Sequence, residues 1–292
     1  MNWTQRKELF KTTFLEFTKE RSLMHGAALS YYSMLALIPI LYLSITYVGM
    51  LVGNEVIVEI ISSLLREYVG IKDTSGIMEF LNEVDFEKGS LTMQIIGFLA
   101  LMFSCSAIFN SIRRSLNTFY SISTKEIPRS KLIIRGLIAR LVSMLFVFGA
   151  TLLFVILYFF ETVFLSLSNE FFSDMEIVNR LLLNTLNYGF PILTNIIVFS
   201  FIFKFMHDGR VQWKMALRGA VLTSVLLYLG QLLIKYYLTN YFFAANGGVV
   251  GTMLVLLVWV YYSSQIIFLG AKFISVLSRM TGNPIVHRER GD

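Results

Sequence analysis

Polar side chains recur at helical spacing inside long apolar stretches of this 292-residue chain. Two stretches carry them at i, i+4, i+7 and i+11, a spacing that places all four side chains on one face of a helix. The two sets are Ser106, Asn110, Arg113 and Asn117, and Ser224, Tyr228, Gln231 and Lys235. Hydroxyls, carboxamides and cations bind polar or anionic groups through hydrogen bonds and charge. The chemistry that this pattern favours is therefore recognition of such a group.

The composition identifies the elements that hold these side chains. Hydrophobic residues make up 55% of the chain, charged residues 15%, and the mean hydropathy is +0.66. A soluble domain scatters its charges, whereas here they lie between apolar blocks of the length that a helix needs to cross about 30 Å of hydrocarbon. The sequence predicts an all-α, polytopic membrane protein. One transmembrane domain, 1–292, contains six spans at 26–52, 91–112, 137–160, 184–206, 217–238 and 250–274.

The distribution of basic residues predicts the orientation. Of the 25 Lys and Arg residues, 20 lie before the first predicted span or after the second, fourth and sixth spans. These segments are all on the side of the membrane that both termini share. The positive-inside rule places that side, and thus both termini, in the cytoplasm. We expect a bacterial cytoplasmic membrane protein with several spans.

Two segments outside the spans have amphipathic patterns. Near the N-terminus, Trp3, Phe10, Phe14 and Phe17 share one side of a helix that also carries basic residues, which favours an interfacial helix on the inner headgroups. A solvent-facing helix packed on the bundle is the alternative. The first outer loop, 54–90, has apolar residues at helical spacing in two places, before and after Gly76, and predicts short amphipathic helices.

Every predicted span has a polar face, and hydrocarbon cannot satisfy such groups, so these faces should turn inward. In one interpretation the small and amide side chains only pack helices together. In the other they line a hydrated cavity that holds a polar or amphiphilic ligand. The candidate cavity residues are Ser30, Tyr31, Asn110, Arg113, Asn117, Asn195, Tyr228, Gln231, Lys235, Tyr261 and Gln265. The cations Arg140, Lys204 and Lys272 lie near the inner ends of spans, where we expect their stems to extend to the headgroups.

Motifs for catalysis are missing. The sequence has no phosphate-binding G-x-x-x-x-G-K-[ST] motif, and its three histidines lie in separate segments without a Cys pair or a second metal ligand pattern. We therefore expect no catalytic residues, no metal and no cofactor. The cytoplasmic segments are too short for a folded nucleic-acid-binding surface, so we expect no nucleic-acid partner.

The motifs AALSYYSMLALIP (27–39), SIRRSLNTFY (111–120) and the segment 218–277 resemble the YihY/virulence factor BrkB family, some members of which were once labelled ribonuclease BN. The resemblance extends over nearly the whole chain and implies a six-span helical bundle. The family's LGA motif is commonly followed by an acid, where this chain has Lys272. That reversal puts in doubt any role tied to the acid. The ribonuclease label is disfavoured because the histidines and carboxylates that metal-dependent RNA hydrolysis needs are not clustered.

These observations favour a non-enzymatic transporter or flippase-like protein for an amphiphilic or anionic cell-envelope component. The alternative is a non-transporting membrane scaffold for envelope assembly partners. Membrane lipids are the expected partners, and an anionic lipid or envelope precursor is a possible substrate.

Overall fold

The computed structural model describes residues 2–43, 53–64, 91–122, 176–240 and 248–287, together with isolated positions between 145 and 163. Within these residues the chain is almost entirely helical. The helices are α1 (Trp3–Lys19), α2 (Ser22–Leu43), α3 (Asn54–Leu64), α4 (Leu91–Phe119), α5 (Glu176–Phe205), α6 (Trp213–Asn240) and α7 (Gly248–Met280). Two short strands, β1 (Gly209–Arg210) and β2 (Val286–His287), pair antiparallel, with Gly209 opposite His287 and Arg210 opposite Val286.

Among the described residues, four helical segments are long and apolar enough to cross a membrane: Ser22–Leu41, Gln94–Phe119, Trp213–Ile234 and Val250–Met280. They correspond to the spans predicted at 26–52, 91–112, 217–238 and 250–274. The span predicted at 184–206 falls in α5, whose apolar part is the shorter segment Gly189–Phe205. The span at 137–160 lies outside the described residues apart from isolated positions. The helical membrane class is confirmed, while six spans and cytoplasmic termini remain predictions.

The N-terminal helix α1 begins where the Asn2 backbone N–H donates to Gln5 Oε1 at 3.0 Å. A break follows at Arg21, whose φ of 51° lies in the left-handed region that ends helices. Leu9 and Thr13 are buried, whereas Trp3, Phe10 and Phe14 are exposed. The buried residues show that α1 packs on the protein, and Phe17 stacks on Phe119 with 5.7 Å between ring centroids. The interfacial position of α1 stays a prediction.

In the segment that the sequence predicts as the first outer loop, α3 forms where the first amphipathic helix was predicted. Its Val56 and Ile60 side chains are exposed. The second predicted helix, after Gly76, lies outside the described residues.

The chain divides into two compact units. The first contains residues 1–20, 113–226 and 268–292, and the second contains residues 21–112 and 227–267. In the first unit, Phe119 stacks on Phe268 with 5.2 Å between ring centroids, and both rings are fully buried. In the second unit, Leu256 packs against Met34, Leu37, Val255 and Trp259. The single transmembrane domain expected for 1–292 stays a prediction.

The exposed face of α6 is apolar along most of the helix. Its exposed positions begin with a tryptophan, include two basic residues in the first two turns, continue with aliphatic residues and end with tyrosines: Trp213, Lys214, Leu217, Arg218, Val221, Val225, Leu229, Leu232, Leu233, Tyr236 and Tyr237. From Leu217 to Tyr236 this face extends for about 28 Å at 1.5 Å per residue. That length is close to the roughly 30 Å thickness of bilayer hydrocarbon.

Candidate functional site

In the second unit, two candidate residues make hydrogen bonds to helix backbone. The buried Ser30 hydroxyl lies 3.1 Å from the carbonyl oxygen of Gly26 and 3.0 Å from that of Ala27, so it bonds within its own helix. Gln265 Nε2 on α7 donates to the carbonyl oxygen of Ser22 at the start of α2, at 3.1 Å. Gln265 Oε1 is buried without a hydrogen-bond partner within the described part of the chain.

Glycines allow close contacts in the same unit. A Cβ at Gly26 would lie 2.0 Å from Gln265 Nε2, and one at Gly230 would lie 1.1 Å from Tyr262 Oη. Neither position has space for a side chain. This contact of helix backbone with polar side chains is typical of membrane helix packing through small residues.

In the first unit, a charged cluster joins the end of α4 to the segment after α5. Arg113 forms an ion pair with Asp208 through both the Nη2 and Nε atoms, the latter at 3.3 Å from Oδ2. Asn117 Nδ2 donates to Asp208 Oδ2 at 2.7 Å, and the Asp208 backbone N–H donates to Asn117 Oδ1 at 3.0 Å. Two members of the predicted α4 stripe therefore hold one carboxylate through charge-assisted bonds.

Asp208 was missed in the sequence because it lies in a short connection, 91 and 95 residues away from its partners. Its neighbour His207 fixes the backbone around it. The His207 ring accepts a hydrogen bond at Nδ1 from the Gly209 N–H at 2.9 Å, and Nε2 lies 2.8 Å from the Phe203 carbonyl oxygen. Because Nδ1 accepts and Nε2 faces an acceptor, the geometry selects the neutral tautomer with the proton on Nε2.

Lys272 on α7 is held between two carboxylates of the N-terminal segment. Its side chain is 1% exposed, and Nζ lies 3.1 Å from Glu16 Oε2 and 3.2 Å from Glu20 Oε1. The expectation that this stem extends to the headgroups is wrong for Lys272. The side chain is buried because Glu16 of α1 and Glu20, which follows the end of α1, neutralise it. Lys204 also turns back to the protein, since Nζ donates to the Val211 carbonyl oxygen.

Glu16 receives a second cation from the last turn of α7, where Arg279 Nη2 also bonds Oε2. Burial alone raises the pKa of Glu16, but hydrogen bonds from Arg279 and Lys272 and their positive charges outweigh it. The pKa of Glu16 therefore lies below its ordinary value of 4.5. The carboxylate is consequently charged at neutral pH, as the ion pairs require.

Several buried polar atoms have no hydrogen-bond partner within the described ranges. In the first unit they are the hydroxyls of Thr194 and Ser200 on α5 and of Thr223 and Ser224 on α6. In the second unit they are Ser106 Oγ, Trp259 Nε1 and Gln265 Oε1. Leaving such a group unbonded costs about 1–3 kcal/mol. A polar group placed beside any of these atoms would therefore gain a hydrogen bond that the described residues do not supply.

The remaining candidate cavity residues are exposed, partly buried or outside the described side chains. Tyr31 is 59% exposed and packs edge to face with Tyr32. A further group of candidates is partly buried: Asn110, Asn195, Tyr228, Gln231 and Tyr261. Lys235 lies in α6, and its side chain is outside the described part of the structure. The use of these residues as a cavity lining remains a prediction.

A cavity of about 210 Å³ lies in the first unit, between β1, the start of α6 and the segment after α7. None of the eleven candidates lines it. Its lining residues are Arg210, Val211, Gln212, Met215, Ser278, Gly282, Asn283, Pro284, Ile285 and Val286. The described residues contain no group of three or more His, Cys, Asp or Glu side chains that could hold a metal ion.

Apolar helices of spanning length with small and polar residues at their buried contacts define a helical membrane protein. The sequence profile of the family described as "Virulence factor BrkB" matches residues 13–291. The chain therefore belongs to the virulence factor BrkB family, as its motifs predicted.

Curated relatives carry names that describe little chemistry. A UPF0761 membrane protein of Alkalilimnicola ehrlichii is 24% identical over 90% of this chain and 56% of its own length. A UPF0761 membrane protein of Aggregatibacter aphrophilus is 24% identical over 96% of both chains. A protein of Bacillus subtilis named "Putative ribonuclease-like protein YfkH" is 23% identical over 92% of this chain and 94% of its own. No solved structure matches the chain.

The chain spans between about half and two thirds of the length of the first two relatives, at 56% and 63%. The relatives' names indicate membrane proteins. The family description does not mention ribonuclease activity, and the described residues contain no cluster of metal-binding side chains. Among the relatives named above, ribonuclease chemistry is suggested only by the printed name of the Bacillus subtilis protein.

Proposed function

We propose that this protein is a transporter or flippase-like protein of the bacterial cytoplasmic membrane, with six spans and both termini in the cytoplasm. Its substrate is an amphiphilic or anionic component of the cell envelope. The observation that carries this proposal is the set of buried hydroxyls on α5 and α6 that have no hydrogen-bond partner among the described residues. Alanine or valine would fill the same space without the desolvation cost.

The position of these hydroxyls supports contact with a polar group that passes through the protein. Thr223 and Ser224 lie within the apolar segment Trp213–Ile234, where lipid hydrocarbon offers no hydrogen bonds. A phosphate or sugar group supplies acceptors and donors for hydroxyls of this kind. Hydrogen bonds from these hydroxyls would replace hydrogen bonds to water that a substrate headgroup loses as it moves past them.

The experiment measures movement of fluorescent phosphatidylglycerol across vesicles that contain the purified protein. The test variant combines Thr223→Val and Ser224→Ala, which preserve shape and remove the two hydroxyls. We expect the protein-dependent rate to fall about tenfold or more while thermal stability is unchanged or higher, because two unbonded polar groups are gone. Thr13→Val is the matched control, since its buried hydroxyl already bonds the Leu9 carbonyl oxygen at 2.7 Å and lies outside the spans.

Two results would contradict the proposal. Equal rates for the test variant and the wild type would remove these hydroxyls from the path. Wild-type vesicles that move the lipid no faster than protein-free vesicles would reject an anionic phospholipid as substrate.

The second candidate function is a membrane scaffold for envelope assembly partners, and close glycine packing favours it. A Cβ at Gly219 would lie 2.3 Å from two side-chain carbons of Ile274, and one at Gly270 would lie 1.9 Å from Thr223 Oγ1. Helices packed this tightly leave little room to separate. In this case the polar stripes serve packing, and vesicles show no protein-dependent lipid movement.

A further inference from the structure

An aromatic cluster lies at the start of α6. The Trp213 ring packs edge to face against Phe201 at 5.7 Å and against Phe205 at 5.6 Å between centroids. All three rings remain between about two fifths and one half exposed. Amphipathic indole rings concentrate at the level of lipid headgroups, so this cluster marks where the apolar surface meets the membrane–water boundary.

Two basic side chains stand beside the cluster. Lys214 and Arg218 are exposed and lie one helical turn apart on the same side of α6. Across the described ranges, no carboxylate forms an ion pair with either of them. Lys204, the nearest cation of α5 to the indole, is instead engaged with the Val211 carbonyl oxygen. The surface at Lys214 and Arg218 therefore offers two positive charges that no carboxylate of the described residues neutralises.

The apolar face of α6 continues directly from these two cations. Leu217 lies between them in sequence, and Val221 and Val225 follow at one-turn intervals, all about half exposed. A headgroup bound at the cations would thus have a path for an acyl chain along the same helix face. Along α6 the two cations are followed by apolar residues, as the charged headgroup of a phospholipid is followed by its acyl chains.

We propose that this surface binds an anionic phospholipid such as phosphatidylglycerol. Lys214 and Arg218 contact the phosphate, Trp213 lies at the level of the glycerol backbone, and an acyl chain lies on Leu217 and Val221. The site selects anionic over zwitterionic phospholipids, because the positive group of a zwitterionic headgroup is repelled by Lys214 and Arg218. This site lies on the exposed face of α6 and does not depend on the proposed transport function.

The first test uses Trp213 as a reporter. Trp3→Phe and Trp259→Phe leave Trp213 as the single tryptophan, and the protein is reconstituted in vesicles with brominated phosphatidylglycerol or brominated phosphatidylcholine at equal mole fraction. We expect phosphatidylglycerol to quench Trp213 several-fold more strongly. Lys214→Gln with Arg218→Gln should abolish that difference, whereas Arg6→Gln with Lys11→Gln, which neutralises two exposed cations of α1, should leave it intact.

Native mass spectrometry of the otherwise unaltered chain gives a second measurement that does not depend on replacing tryptophans. Each cation near an anionic lipid is worth about fivefold in affinity. Lys214→Gln with Arg218→Gln should therefore reduce retained phosphatidylglycerol by more than tenfold, and excess inorganic phosphate should not displace it. Equal quenching by the two lipids, equal lipid retention by the variant, or displacement by phosphate alone would each overturn the proposal.

Discussion

Removing the acids around Lys272 should destabilise the contact between α1 and α7 more than removing Lys272 itself. The comparison is between Glu16→Gln combined with Glu20→Gln, and Lys272→Met. The side chain of Lys272 is 1% exposed, whereas those of Glu16 and Glu20 are 28% and 32% exposed. The ammonium therefore cannot find water when its partners are lost, but the carboxylates can.

The magnitudes follow from this difference in exposure. Stranding a fully buried charge costs about 3–5 kcal/mol. We take about 2–3 kcal/mol for the double glutamine variant, because the glutamine oxygens can still accept hydrogen bonds from Nζ. Lys272→Met leaves Glu16 paired with Arg279 and Glu20 in contact with solvent, which corresponds to a partly exposed ion pair and costs about 0–1 kcal/mol. The buried methionine recovers apolar packing.

The assay measures how often α1 leaves its site. Thr13 is buried on the docked face of α1, so Thr13→Cys in a Cys105→Ser background reports undocking through its rate of maleimide labelling. The double glutamine variant should raise that rate about 30- to 150-fold, and Lys272→Met at most about fivefold. Adding Lys272→Met to the double glutamine variant should restore slow labelling. If Lys272→Met labels as fast as the acid variant, or fails to rescue it, the stranded charge is not the cause.

Three other perturbations follow from the same structure. Because the pKa of Glu16 lies below 4.5, its ion pairs contribute fully above that pH and are lost as the pH falls through the lowered value. The labelling rate of the Thr13→Cys variant relative to that of a free cysteine peptide at the same pH should therefore rise there, since acid slows the thiol reaction itself equally in both, and Glu16→Gln should lose this pH dependence. Gly230→Ala places a Cβ 1.1 Å from Tyr262 Oη and should lower the melting temperature by an amount equivalent to about 1–3 kcal/mol. Gly189→Ala, whose Cβ would have no described atom within 4 Å, should not lower it, and equal melting of the two variants would refute the packing argument. Asp208→Asn removes the charge that its arginine and asparagine partners bind and should cost about 1–3 kcal/mol, measured as lost thermal stability; a neutral result would mean that solvent already weakens this cluster.

The sequence predicted the four described helices of membrane-spanning length because their signal is local. About 20 consecutive apolar residues define a span whatever its neighbours are. Helical periodicity likewise predicted an inward face for Ser30 and for Asn117, and both side chains are buried. Such patterns identify the face of a helix that meets other helices, since burial repeats with the helical turn.

The partners of those faces could not be predicted in the same way. Periodicity gives an angle around one helix, whereas the pairing of Lys272 with Glu20 joins residues that are 252 positions apart. The expectation for Lys272 failed because a cation near a span end has two solutions, reaching water or meeting an acid, and the sequence of α7 alone does not distinguish them. Asp208 was overlooked for a related reason, as a single acid in a short connection has no periodic pattern.

The contact between α1 and α7 joins groups that are synthesised far apart in time, since Lys272 follows Glu20 by 252 positions. While the ribosome is producing the residues between them, Glu16 and Glu20 have no Lys272 to bind and remain hydrated. Their ion pairs with α7 can form only after α7 has emerged, so this contact is a late event in the assembly of the described helices. A protease that cuts within α1 would therefore act mainly before these ion pairs form.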